Sequence, residues 1–120
     1  MLSDRYLMTL WSKAVRSLKG EMCSNPLCGK PAQGTHHIIK RRYRVLRYNV
    51  VNGLPLCADC HPIADRNTEF AMAMLDDTDR KYLAKLGMHT FKDWLMLTEQ
   101  SRDEFMKSEA DELKRIIKGE

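Results

Sequence analysis

Apolar positions in this chain fall into helical stripes at both ends, with short β-type runs between them. Leu7, Leu10, Trp11, Ala14, Val15 and Leu18 recur at i, i+3, i+4, i+7, i+8 and i+11, and Gly20 supplies a stop, which predicts an amphipathic helix over residues 1–19. Met22 to Gly34 holds Pro26, Gly29 and Pro31 between and beside two cysteines and reads as a loop. Thr35 to Ile39 is short and β-branched, as a strand would be. Asn52-Gly53 is a turn signal, and Pro55 places any strand resuming there at a sheet edge.

Beyond Cys57–His61, Pro62 suits the first turn of a helix whose face carries Ile63, Asn67, Phe70, Ala71, Met74 and Leu75, with Asn67 its one polar interruption. Asp76-Asp77-Thr78-Asp79 breaks that helix, and a short helix follows to Gly87. The box Thr90 to Asp93 opens another, with Phe91, Trp94 and Leu95 inward. The capping box Ser101 to Glu104 opens the last, with Phe105, Leu113, Ile116 and Ile117 inward. The expectation is one α+β, mostly helical domain over residues 1–120: the N-terminal helix 1–19, a core over 20–75 and a helical extension over 76–120.

Composition narrows the class. A length of 120 residues, 43% hydrophobic and 30% charged, is that of an ordinary globular domain with a modest core. No apolar run is long enough to span a bilayer, and Asp4, Arg5, Lys13 and Arg16 interrupt any signal-peptide core, so a cytoplasmic protein with no membrane partner is expected. In that reducing compartment four cysteines read as metal ligands before disulfides.

Cys23-x4-Cys28, a gap of 28 residues, then Cys57-x2-Cys60 gives two close pairs in turn-rich settings, a pattern that closes tetrahedrally on one structural zinc ion. Four buried free thiols, or two disulfides, are the alternatives. A site with all four positions taken by sulfur is closed, and it contributes folding free energy directly.

Charge is the next signal. The net charge is +4. Residues 1–61 carry ten Lys/Arg against three acids, and residues 62–120 carry ten against thirteen. The first half is built to attract a polyanion. Lys40, Arg41, Arg42, Arg44 and Arg47, interleaved with Tyr43 and Tyr48, are the candidate DNA contacts, of the kind that position a duplex without reading its sequence. They are expected in a hairpin, and a merely solvated hairpin is the bland alternative.

His36, His37, Asn52 and His61 lie between and beside the cysteine pairs, so an ion on those pairs gathers them into one neighbourhood. Their chemistry suits phosphodiester hydrolysis: imidazole and carboxylate ligands leave a divalent metal open to a phosphate oxygen, and a neutral histidine takes a proton from water near neutral pH. His89 reads as a surface residue.

His36-His37-Ile38-Ile39, Asn52 fifteen residues after His37, and Cys57-x-x-Cys60-His61 with His61 nine after Asn52 resemble the HNH motif. With Cys23-x4-Cys28, the segment 20–68 is similar to the zinc-bearing HNH nucleases common in bacteriophages and restriction systems. The resemblance implies a ββα-metal core braced by the four-cysteine zinc knuckle, with a separate catalytic ion, Mg²⁺ or Mn²⁺ before Ni²⁺ or Zn²⁺. His37 would be the general base, His36 and His61 metal ligands, and Asn52 the residue that holds the loop and keeps the base oriented. Products would carry a 5′-phosphate and a 3′-hydroxyl. Family members resolve the opposite facing of adjacent strand residues with a distorted hairpin. Some have a further histidine where this chain has Asp65, one helical turn after His61: a third ligand, a water-mediated one or a solvated acid.

The expectation is therefore a DNA endonuclease or nickase. Its rival is a non-catalytic zinc module that binds nucleic acid through the same basic segment. The net-acidic residues 76–120 are poor DNA contacts and suit packing on the first helix, self-association or a protein partner.

Overall fold

The computed structural model describes residues 2–120, so Met1 of the expected first helix lies outside the described residues. Ser3 opens helix α1 (Asp4–Lys19) by accepting a hydrogen bond from the Tyr6 N–H, and Gly20, at φ +90°, closes it with its own N–H on the Arg16 carbonyl. Leu7, Trp11, Ala14 and Val15 are buried and Leu10 is half-buried, but Leu18 is 58% exposed. A stripe records which residues share a face; burial also needs an opposing surface, and the last turn of α1 has none over Leu18.

Strand β1 (Gly34–His37) pairs antiparallel with β2 (Gly53–Leu56), Gly34 opposite Leu56 and His37 opposite Gly53. The strand expected to reach Ile39 ends two residues sooner, because the N–H groups of Ile38 and Ile39 turn to the backbone and side-chain oxygens of Asn52. Asn52-Gly53 is not a hairpin turn. A 3-10 turn (Val50–Asn52), capped by the Asn49 side chain, delivers Gly53 into β2 in extended conformation. Gly53 is required by packing instead: a Cβ there would come within 2.5 Å of Val15 Cγ2 and 2.8 Å of Trp11 Cζ2. Pro55 sits in β2 opposite Thr35, where a two-stranded sheet makes every strand an edge, and its carbonyl accepts from the Ser24 N–H.

The helix expected over 62–75 is two, α2 (Cys60–Arg66) and α3 (Thr68–Met72). Asn67 divides them: its N–H bonds the Ala64 carbonyl at the end of α2, while its side chain accepts from the Phe70 N–H at the start of α3. The break turns Ile63 out of the stripe, 40% exposed. Asp76 likewise does more than interrupt, since its carboxylate caps α4 (Asp77–Leu86). Thr90 caps α5 (Phe91–Leu97), and Ser101 with Glu104 forms the full reciprocal capping box of α6 (Arg102–Ile117).

Two buried clusters result. One gathers Cys23, Ile38, Leu46, Leu54, Leu56, Cys57, Cys60, Ala64 and Leu83 around the sheet and α2–α4. The other joins Leu7, Trp11, Ala14 and Val15 of α1 to Phe105, Met106, Ala110 and Leu113 of α6, with Tyr48 between. The last helix, α6, thus packs on the first one, while α4 packs on the sheet cluster. Ile117, the end of its stripe, is 36% exposed. The described residues form an α+β, mostly helical fold with six α-helices and one two-stranded sheet, and no helix is long and apolar enough to cross a membrane.

Candidate functional site

The two cysteine pairs converge. In the first loop Met22 bridges Pro31, the Cys23 N–H donates to the Lys30 carbonyl, and the Cys28 N–H donates to the Asn25 carbonyl, a knuckle closed by Gly29 at φ +73°. The second pair spans the end of β2 and the first residue of α2, with the His61 N–H on the Cys57 carbonyl. Lys30 and Asp59 form an ion pair from one knuckle to the other.

All four sulfurs lie within 4.8 Å of one another, and Cys28 Sγ and Cys57 Sγ are 3.5 Å apart. Thiolates on a tetrahedral ion at ~2.3 Å are spaced about 3.8 Å apart, so the cluster is of a size to hold one metal ion. None of the four is in a disulfide. Cys23, Cys57 and Cys60 are buried. The Cys60 N–H donates to Cys57 Sγ at 3.3 Å and is the main influence bringing that thiol down to about 7, and Asn25 Nδ2 donates to Cys60 Sγ at 3.6 Å. Asn25 carried no distinguishing signal in the sequence.

A second cluster forms beside the first. His36 leaves β1 toward α2, where His61 follows directly on Cys60 and Asp65 lies one turn later. His36 Nδ1 is 3.2 Å and His61 Nε2 3.7 Å from the same Asp65 oxygen, and one ligand atom from each residue lies within 4.8 Å of the others. The imidazoles meet edge to face with centroids 5.1 Å apart. Gly34, two residues before His36, leaves the space His61 occupies: a Cβ there would sit 3.3 Å from His61 Nδ1. His36 is buried, and desolvation, then the nearby His61, holds its pKa below the usual histidine value, so it presents a neutral imidazole. The Asp65 side chain is 61% exposed, so this cluster opens to solvent where the sulfur cluster is closed. Two nitrogens and a carboxylate oxygen with an open side fit a divalent ion that keeps free positions.

His37 is elsewhere. The strand is regular, not distorted, and alternation sends the His37 ring to the opposite side of the sheet from His36. It stacks on Trp11 of α1 at 3.8 Å between centroids and 8° between planes. Its Nε2 lies 2.9 Å from the Arg47 carbonyl, which can only accept, so Nε2 carries the proton and Nδ1 the lone pair. Burial lowers its pKa to about 4, which keeps it neutral at pH 7. Trp11 belongs to the predicted stripe, but nothing in the sequence marks it as the platform for this ring.

Asn52 is fully buried. Its Oδ1 accepts from the Ile39 N–H at 2.7 Å, and its Nδ2 donates to the carbonyls of Ile39 and Leu46 at 3.0 and 3.2 Å. One side chain thus ties the start of the basic loop to its far end.

That loop is a series of turns, not a hairpin, and it divides its cations. Arg47 reaches Asp4 at 3.4 Å and donates from Nε to the Arg41 carbonyl, and Arg41 itself lies 3.7 Å from Asp4. Arg44 stands over the Phe91 ring at 4.0 Å, half-buried. Lys40 and Arg42 are exposed and, among the described residues, in no ion pair. Asp4, far away in sequence, is what takes Arg47 and Arg41 out of a free basic patch. No protein-family model, curated protein or solved structure matches this chain.

Proposed function

We propose that the chain is a metal-dependent phosphodiester hydrolase of the HNH type acting on DNA, with a ββα-metal core braced by zinc on Cys23, Cys28, Cys57 and Cys60. The observation that carries this reading is the solvent-open assembly of His36, His61 and Asp65 beside a closed sulfur cluster. Four thiolates suit zinc, and a mixed N/O set suits Mg²⁺, Mn²⁺ or a comparable ion. His36, His61 and Asp65 would hold a divalent ion, which would supply Lewis-acid charge toward a phosphodiester oxygen.

The chain's own residues supply the rest. His37 is the proposed general base: the Arg47 carbonyl holds its Nε2–H and the Trp11 face holds its ring, which leaves the Nδ1 lone pair for a proton from water. Asn52 acts as a positioning residue: it fixes the 39–52 loop and with it the carbonyl of Arg47 that aims His37. Lys40 and Arg42 are free to meet backbone phosphates.

The test is conversion of supercoiled plasmid to nicked or linear forms by purified protein with Mg²⁺, Mn²⁺ or Ni²⁺. His37→Ala should lower the rate about 10²–10⁴-fold, as loss of a general base does, with a melt that stays cooperative but is lowered by the lost stack on Trp11 and the lost bond to the Arg47 carbonyl. The opposite facing of His37 and His36 is the observation that favours the rival reading. Metal-independent DNA binding with no cleavage under any ion would make the chain a non-catalytic zinc-containing binding module.

A further inference from the structure

The exposed cations of the basic loop border a groove unlike the cleft on the C-terminal helices. A cavity of about 390 Å³ runs between the loop and α4, lined among others by Ile39, Lys40, Arg42, Tyr43, Ala84 and Met88. A second, of about 330 Å³, continues it and shares Arg42, Tyr43 and Met88. Each is within the range of small-ligand sites, ~300–1,000 Å³. The two together have an apolar floor, Lys40, Arg42 and Arg44 as cations, and no acidic residue in their linings. By contrast, a cleft of about 940 Å³ on α4–α6 is lined by Glu104, Glu109, Asp111 and Glu112.

Tyr43, 47% exposed, stands between the two cavities with the Arg42 guanidinium 5.4 Å from its ring centroid. An aromatic ring between two apolar hollows, rimmed by unpaired cations and free of acids, fits a chain of planar apolar faces joined by phosphates. Bases paired and stacked inside a duplex cannot enter hollows of this kind; unpaired ones can.

We infer that the groove between residues 39–46 and the end of α4 seats an unpaired stretch of DNA strand, with a base stacked on Tyr43 and the backbone held by Lys40 and Arg42. This rests on the nuclease reading and sharpens it: the preferred substrate contains single-stranded, branched or bulged DNA and is not uniform duplex.

The experiment is fluorescence anisotropy of labelled oligothymidylate and of a labelled hairpin duplex, titrated with wild-type protein without added divalent ion so that neither strand is cut. Two variants accompany it. Tyr43→Ala removes the exposed ring from a loop held by Asn52. Ala84→Trp fills the groove from the exposed face of α4 without entering the core. Each should weaken oligothymidylate binding about tenfold, the loss of one base–aromatic stack, and leave duplex binding within about twofold. Unchanged oligothymidylate affinity in both variants, or an equal loss on duplex, overturns the groove assignment and leaves the nuclease reading intact. Wild-type protein that binds neither probe overturns the DNA reading itself.

Discussion

The two buried clusters are held together by different means. Around the sheet the elements are short: β1 and β2 have four residues each, α2 seven and α3 five. Such pieces cannot stabilise themselves by propensity, and what joins them is chemistry at points: four sulfurs, one buried asparagine, an ion pair between knuckles. Between α1 and α6, two sixteen-residue helices lie along one another, and the contact is distributed over many apolar side chains. The candidate ligands sit in the region that packing alone would not hold, and His37 lies at its border, stacked on Trp11 of the other cluster.

The sharpest way to break this comparison is to remove one sulfur. Cys57→Ser, or treatment with a strong chelator, should remove metal-derived folding energy on the order of 10 kcal/mol. Amide protection over residues 34–66 should then vanish, while α6 keeps measurable protection in hydrogen exchange. A melt and an exchange pattern equal to wild type would show that packing holds both clusters alike.

Leu113→Ala tests the other side. Leu113 is 1% exposed in the α1–α6 cluster, and its truncation should cost ~3 kcal/mol. That loss should be the same with metal supplied or withheld, as read by denaturant titration. A loss that depends on metal would mean the clusters are one cooperative unit energetically.

The smallest effect comes from Glu109 on α6, in the acidic cleft with Glu104, Lys107, Asp111, Glu112, Arg115 and Tyr82. Burial, then the neighbouring Glu112, raises its pKa to about 7. A carboxyl raised on folding contributes stability that is full below its unfolded value, near 4.5, and is lost as the pH climbs through about 7. Glu109→Gln should therefore melt like wild type at pH 4 and above it at pH 8, by ~1 kcal/mol once solvent in the open cleft is allowed for. A gain at pH 4 as well would assign the effect to packing and not to charge.

What the sequence made legible follows the same division. The helices at the two ends are long, periodic and capped, so the stripe of α1, the Thr90 cap and the Ser101–Glu104 box mark real boundaries. The cysteine and histidine spacings were legible because a metal site constrains sequence through short local repeats: Cys57, Cys60, His61 and Asp65 lie within nine residues and share one turn-and-helix. The middle of the chain was less so. Asn67 reads as a flaw in one helix and is the joint of two, because a side chain that can cap competes with the helix that would continue through it. The arginines of the basic loop look equivalent in sequence. Only the fold reveals that Asp4 pairs with Arg41 and Arg47, that Phe91 receives Arg44, and that Lys40 and Arg42 are in no ion pair among the described residues. The separation of His36 from His37 follows from strand alternation, which is local, but the partners that receive each ring are not.

The three hydrogen bonds of the Asn52 side chain all go to backbone groups, those of Ile39 and Leu46. The loop between them is thus anchored at both ends through its backbone, and the side chains at positions 40–43 are all exposed, with only Arg41 reaching Asp4. Those positions form an interchangeable face on a fixed frame. Substitutions there change what the surface displays at little cost to the fold, which makes the loop the natural place to graft a new binding sequence onto this scaffold.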